Sequence, residues 1–283
     1  MPSLGKFVQS KDGTQIWTHA TGNSAKPTVV FIPGFSCTAL AFEKQFDDPK
    51  LLENLYLVRY DPRGQGQSGQ PLNADDYRSE RYADDFQAVV DEYKLIKPFV
   101  CGWSIGAIIP ADILSYHGPD AISGVITAGG FPWRSMHGEV ANPWIIEFIP
   151  RLLANDLNLW GETAKAFVES CVAYPDDMPQ LTKYAWMGGV SGQHPQVRLH
   201  ALPRGQDESA LLSVKDKLPF LVLHGTMDKH VLGDKLEKFM HSNFKSVEFH
   251  MWDHCGHAPF FDKPEEFNKA TLEWVNKITK ESA

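Results

Sequence analysis

Basic charge is in short supply in this 283-residue chain: 27 Lys and Arg stand against 35 Asp and Glu, a formal net charge of −8. Phosphate backbones are held by clustered Lys and Arg, so nucleic acid is not expected as a partner. No block of like charges forms an acidic or basic tail. Cysteine is also scarce. The four present, Cys37, Cys101, Cys171 and Cys255, are widely spaced and form no C-x-x-C pair. In a chain this size they read as reduced thiols rather than a disulfide framework. Met1 to Trp17 lacks the apolar core of a secretory leader, and no uncharged apolar run approaches a membrane span. These absences predict a soluble, cytoplasmic protein. Repeats, low-complexity segments and coiled-coil heptads are missing too, so nothing in the pattern specifies an oligomer.

What is present is core-forming material: 43% of residues are hydrophobic and 12% aromatic. That suffices for one α/β domain with an inserted subdomain. Lys6–Gln9 and Thr14–Ala20 flank Asp12-Gly13, a strong hairpin signal, so the sheet is expected to open with an antiparallel pair. Buried strands are expected at Thr28–Ile32, Tyr56–Tyr60, Phe99–Gly102, Ile122–Ala128, Phe220–His224 and Val247–Met251. Helices are expected between them, at Glu80–Tyr93, Ile105–Tyr116 and Asp234–Phe244, with Pro264 opening a last one to about Ile278. This alternation is that of a parallel sheet covered by helices. It breaks between Ala128 and Pro219, a stretch rich in Trp, Met and Pro. Connections within α/β units are normally short. Residues 131–203 therefore read as a helical cap, inserted in a core made of 1–130 and 204–283. Ordinary crossover helices of a larger sheet are the alternative.

Gly102-Trp103-Ser104-Ile105-Gly106 falls where a buried strand meets a helix. G-x-S-x-G at that junction lifts a serine hydroxyl above a helix N-terminus, with small flanking residues letting strand and helix close together. A nucleophilic serine needs a base, and the base needs an orienting carboxylate. Asp228 lies in the loop after Phe220–His224, and His257 in the loop after Val247–Met251. Both loops end on the sheet edge that carries Ser104. Asp253 is a rival acid and His254 a rival base. His250, His254, Cys255 and His257 together could also suggest a metal site, but they alternate between strand and loop, and no metal is expected.

The strand Thr28–Ile32 ends in Pro33-Gly34-Phe35, a turn that can aim the Phe35 N–H at the oxyanion served by the Ile105 N–H. Phe35 also offers a ring to the acyl pocket. Gly64-Gln65-Gly66-Gln67-Ser68-Gly69 matches the dinucleotide pattern G-x-G-x-x-G. A Pro-bearing loop follows it rather than a helix, so Asp61 and Arg63 read as braces of a tight turn and no cofactor is expected.

Taken together, Pro33-Gly34-Phe35, Asp61-Pro62-Arg63-Gly64-Gln65-Gly66, the Gly102–Gly106 elbow, His224-Gly225-Thr226-Met227-Asp228 and Gly256-His257 before Pro264-Glu265-Glu266-Phe267 resemble the α/β-hydrolase superfamily. The likeness is to its capped serine esterase and non-haem haloperoxidase-like branch, over about Gly5–Gly130 and Leu218–Ile278. It implies a mostly parallel eight-stranded sheet with helices on both faces and an inserted helical cap. It also implies a Ser104, Asp228, His257 triad, and an oxyanion hole from Phe35 and Ile105. Pro33 stands where the family usually has histidine. Trp103 in the elbow implies a bulky apolar wall, and with Phe35 and the cap residue Trp133 it is expected to contact substrate. Ser104 departs from the branches with an aspartate nucleophile, and Ala258 from the hydroxynitrile lyases, which carry lysine there. The expected activity is hydrolysis of a small-molecule carboxylic ester with an apolar acyl or alcohol part. A thioesterase or acyltransferase, a perhydrolase, and a ligand receptor on a hydrolase scaffold are the alternatives.

Overall fold

The computed structural model describes residues 5–154 and 156–281. Among the described residues there are eight strands: β1 (Lys6–Gln9), β2 (Gln15–Gly22), β3 (Thr28–Ile32), β4 (Tyr56–Tyr60), β5 (Phe99–Trp103), β6 (Gly124–Ala128), β7 (Phe220–Gly225) and β8 (Val247–Trp252). They form one sheet in the order β1-β2-β4-β3-β5-β6-β7-β8. β1 pairs antiparallel with β2, and β2 with β4. Every later pairing is parallel. The hairpin forms where Asp12-Gly13 predicts it. Its second strand starts at Gln15 because Asp12 Oδ1 takes the Thr14 N–H at 3.0 Å, which draws Thr14 into the turn.

The longer helices are α1 (Ser79–Tyr93), α2 (Ile109–His117), α3 (Pro143–Leu153), α4 (Trp160–Ser170), α5 (Gln180–Gly192), α6 (Pro195–Ala201), α7 (Gly233–Asn243) and α8 (Pro264–Glu281). β5, β6 and β7 are buried along their whole length, as strands covered on both faces must be. Helix α8 turns Phe267, Trp274 and Val275 inward, and Trp274 meets Phe99 edge-on at 5.5 Å.

One expected helix is built differently. The residues after the elbow, Ser104–Ile108, form a 3-10 turn, and the α-helix starts only at Ile109. Pro110 has no N–H to give the carbonyl four residues back, so a continuous α-ladder cannot run from Ile105.

Between β6 and β7 lie α3 to α6 with short turns on either side. The chain returns to the sheet through a buried anchor. Arg204 Nη2 meets Asp112 Oδ2 at 2.5 Å, and Gln206 Nε2 donates to Asp112 Oδ1 at 2.7 Å. From β3 the chain moves to β4 on one side, while β5 lies on the other. Loops leaving β3 and β5 therefore diverge, and a crevice opens at the carboxyl ends of the strands.

Candidate active site

Ser104 sits at the tip of β5 with φ 54°, in the left-handed region that non-glycine residues seldom occupy. Tertiary contact must hold it there. A Cβ on Gly102 would lie 2.4 Å from Ala107 N, and one on Gly106 would lie 2.4 Å from Ile32 O. The two glycines are thus required for the turn to close.

Asp228 and His257 are both buried. Asp228 Oδ2 accepts from His257 Nδ1 at 2.9 Å, with Oδ1 at 3.1 Å. The same Oδ1 accepts the backbone N–H of His230 at 2.6 Å and of Val231 at 3.0 Å. His224 Nε2 is 3.4 Å from Oδ2. Burial alone pushes the carboxyl up. It is outweighed chiefly by His257, through its charge and its hydrogen bond, which hold Asp228 well below the usual carboxylate range. With Nδ1–H committed to Asp228, the lone pair of the neutral ring is on Nε2, a buried atom that no described residue hydrogen-bonds. Asp253 is exposed, and His254 Nδ1 is 2.5 Å from the Tyr174 hydroxyl.

Ser104 and His257 line one cleft of about 530 Å³. Phe35 and Ile105 line it too. As a second residue of the helical turn, Ile105 has an N–H without an intrahelical acceptor. The remaining wall is largely apolar, with Phe131, Ile145, Ile149, Leu152 and Phe167 all from the β6–β7 connection.

Sequence reasoning missed His230. Its ring centroid lies 3.9 Å from that of His257, and it stacks on Trp144 at 5.8 Å and Phe167 at 5.7 Å. Its Nε2 is 2.7 Å from Ser170 Oγ, which donates its own proton to Phe167 O at 2.7 Å. His230 therefore carries hydrogen on Nε2. Burial first, then the neighbouring His257, push its pKa well down. The available signal was its place, two residues after Asp228 on the same strand-end loop.

Two expected contact residues lie outside the cleft wall. Trp103 is a brace rather than a wall: its Nε1 donates to His257 O at 2.9 Å, and its ring packs on Trp186 and Phe260 at 5.3 and 5.0 Å. Trp133 packs on Phe239 and Phe244 at 5.4 and 6.1 Å, turned toward α7. Its neighbour Arg134 is the one that reaches the cleft.

The glycine-rich loop is braced from within. Asp61 accepts from Ala39 N at 2.7 Å and Gln67 N at 2.9 Å, and burial pushes its pKa up to about 6 against those bonds. Arg63 Nη2 meets Asp85 Oδ1 at 2.6 Å. Among the described residues no group of three or more His, Cys, Asp or Glu is arranged to hold a metal ion. No described helix is long and apolar enough to cross a membrane. All four cysteines are buried free thiols.

This fold recurs in known structures. Esterase RhEst1 from Rhodococcus sp. ECU1013 superposes with a TM-score of 0.86 and 25% identity, over 97% of this chain and 99% of that one. The esterase EaEST from Exiguobacterium antarcticum gives 0.80 and 23%, over 96% and 99%. In sequence, the Mycobacterium tuberculosis protein "Probable oxidoreductase EphD" is 37% identical over 89 residues, 31% of this chain and 15% of that protein. The chain thus matches only a small part of that relative's length. The profile of the Alpha/beta hydrolase family matches residues 29–270, most of the chain, and with the elbow and the sheet order already described the protein belongs to that family.

Proposed function

We propose that the protein hydrolyses a carboxylic ester with an apolar acyl or alcohol part, through a Ser104, His257, Asp228 triad and an acyl-enzyme. The observation that carries this is a left-handed Ser104 on the wall of an apolar cleft that also holds a His257 hydrogen-bonded to Asp228. The ester chemistry itself draws on the likeness to RhEst1.

In this mechanism His257 Nε2 takes the Ser104 proton as Oγ attacks the ester carbonyl. The N–H groups of Phe35 and Ile105 hold the tetrahedral oxyanion, each contributing about 3 kcal/mol by analogy with other acyl-transfer sites. The C–O bond to the alcohol breaks, and the alkoxide takes the proton from His257. Water then attacks the acyl-enzyme with His257 as base, releasing the acid and restoring the Ser104 hydroxyl. Asp228 keeps the proton on Nδ1 and supports the transient imidazolium. Residues 131–203 act as a cap over the core of 1–130 and 204–283, since most of the cleft's apolar wall comes from them. The free buried thiols suit a reducing compartment such as the cytoplasm.

Hydrolysis of a chain-length series of p-nitrophenyl esters by the wild type and by Ser104→Ala tests the reading. Robust wild-type turnover that falls to background in the variant is the expected result. Negligible wild-type turnover across the series refutes the ester reading, and acyl-thioesters become the next substrates to assay.

A further inference from the structure

The cleft over Ser104 has one charged group on its wall that no described carboxylate answers. Arg134 lines the cleft and is half-buried. Its Nε donates to Leu202 O at 3.0 Å, and its backbone N–H to Gln206 Oε1 at 2.8 Å, so the side chain is anchored at its neck. No described residue accepts from Nη1 or Nη2, and no described carboxylate forms an ion pair with them. His137, also on the cleft wall, has its pKa pushed down by burial and then by the Arg134 charge.

The other buried guanidiniums are all provided for. Arg59 reaches Glu43 at 3.1 Å, Arg63 reaches Asp85 at 2.6 Å, and Arg204 reaches Asp112 at 2.5 Å. Arg198 lacks a carboxylate but donates to Leu152 O and Gln193 O and lies 3.9 Å over the Trp160 ring. Withdrawing a guanidinium partly from water without an anion is unfavourable, and an anion that enters the cleft recovers that cost. The guanidinium's planar fork of donors matches a carboxylate in two-point geometry.

We propose that Arg134 binds a carboxylate carried at the end of the apolar arm of the ester substrate, so that the preferred substrates are esters bearing a second, anionic carboxyl group. This rests on the ester reading of the same cleft. The carboxylate can sit on the acyl arm, as in a half-ester of a dicarboxylic acid, or on the alcohol arm.

The test compares isosteric pairs in which a terminal carboxylate is exchanged for a neutral primary amide. For the acyl arm, p-nitrophenyl half-esters of succinate through suberate are set against their ω-carbamoyl twins. For the alcohol arm, 4-carboxyphenyl hexanoate is set against 4-carbamoylphenyl hexanoate. The wild type should prefer the carboxylate member of at least one pair by about tenfold in kcat/KM, carried by KM, as a charge-assisted two-point contact allows. In Arg134→Gln the ratio should fall to about one, and Arg134→Lys should keep part of it. If the neutral esters are cleaved through Ser104 but the ratio is one in the wild type, or stays high in Arg134→Gln, the carboxylate site is refuted and the ester reading stands. If no ester is cleaved the ester reading fails, and binding decides the site. An NMR titration of dicarboxylic acid monoamides against the matching diamides supports it when the wild type prefers the anion and Arg134→Gln does not, and overturns it otherwise.

Discussion

Asp228→Asn tests the proposed triad by separating the charge of its carboxylate from its shape. Asp228 Oδ1 receives the His230 and Val231 backbone N–H groups at 2.6 and 3.0 Å, which only an acceptor can satisfy. The Asn carbonyl is therefore held at the Oδ1 place. Its NH2 then takes the Oδ2 place, 2.9 Å from His257 Nδ1. An amide N–H there donates to Nδ1 and drives the imidazole proton to Nε2, the atom that in the proposed mechanism has to accept from Ser104. The loss in kcat/KM should be about 10³- to 10⁴-fold, or ~4 to 5.5 kcal/mol in the barrier, as expected for a base held in the wrong tautomer. The loop bonds survive, so circular dichroism and a thermal melt should report an intact fold. Activity is read on the best p-nitrophenyl ester from about pH 7 to 9. A folded variant that keeps more than about a tenth of wild-type kcat/KM would refute the tautomer argument, because no correct tautomer would then be needed. The substitution also has an acid-stability signature. The folded pKa of Asp228 is depressed, so its contribution is present above the unfolded value of about 3.9 and is lost as pH falls toward the folded one. The variant should lack that part of the acid limb.

Two further outcomes follow from the buried neighbourhood. His224 and His230 are held neutral, chiefly by burial. Below about pH 6.5 the unfolded chain takes up protons that the fold refuses, so stability is full above ~pH 7 and falls toward pH 5, by up to ~1.4 kcal/mol per pH unit for each ring. Urea titrations across that range measure the slope, and His230→Gln should reduce it by up to ~1.4 kcal/mol per pH unit; a slope unchanged in the variant contradicts neutral burial of His230. Trp133→Leu should destabilise the fold by about 2 to 4 kcal/mol through the space left against Phe239 and Phe244. Its KM for a short acetyl ester should match wild type, and a large KM increase would return Trp133 to the cleft.

The sheet was legible because its signals are local. Thr28–Ile32 and Tyr56–Tyr60 are short apolar runs between breakers, and both appear with the expected bounds. The turn that carries Ser104 is equally local, since Gly102 and Gly106 are required by atoms a few residues away or on the next strand. The helix after that turn starts at Ile109 rather than at the expected Ile105, because Pro110 delays the α-ladder. Trp103 and Trp133 could not be placed because their partners are remote in sequence. The Trp103 indole is fixed by His257 O, and the Trp133 ring by Phe239 and Phe244. Composition identifies such residues as large and apolar, which is true of a cleft wall and of a brace alike.

The hardest feature to foresee is electrostatic. One carboxylate, Asp228, has three imidazoles around it, and a single negative charge can support only one imidazolium. Distance and hydrogen-bond partners decide which. His257 Nδ1 is 2.9 Å from Oδ2, whereas His224 Nε2 is 3.4 Å away and shares its contact with Val231 O at 3.3 Å. His230 meets the carboxylate through its backbone N–H, and its ring proton goes to Ser170. Neither rival ring competes for the charge, so the carboxylate's field falls on the imidazole that shares the cleft with Ser104. The Asp228–Val231 loop therefore does two jobs. It anchors the carboxylate through its N–H groups, and it places a neutral aromatic face against the His257 ring. A change at His230 should disturb orientation and cleft shape together, without adding a second titrating base.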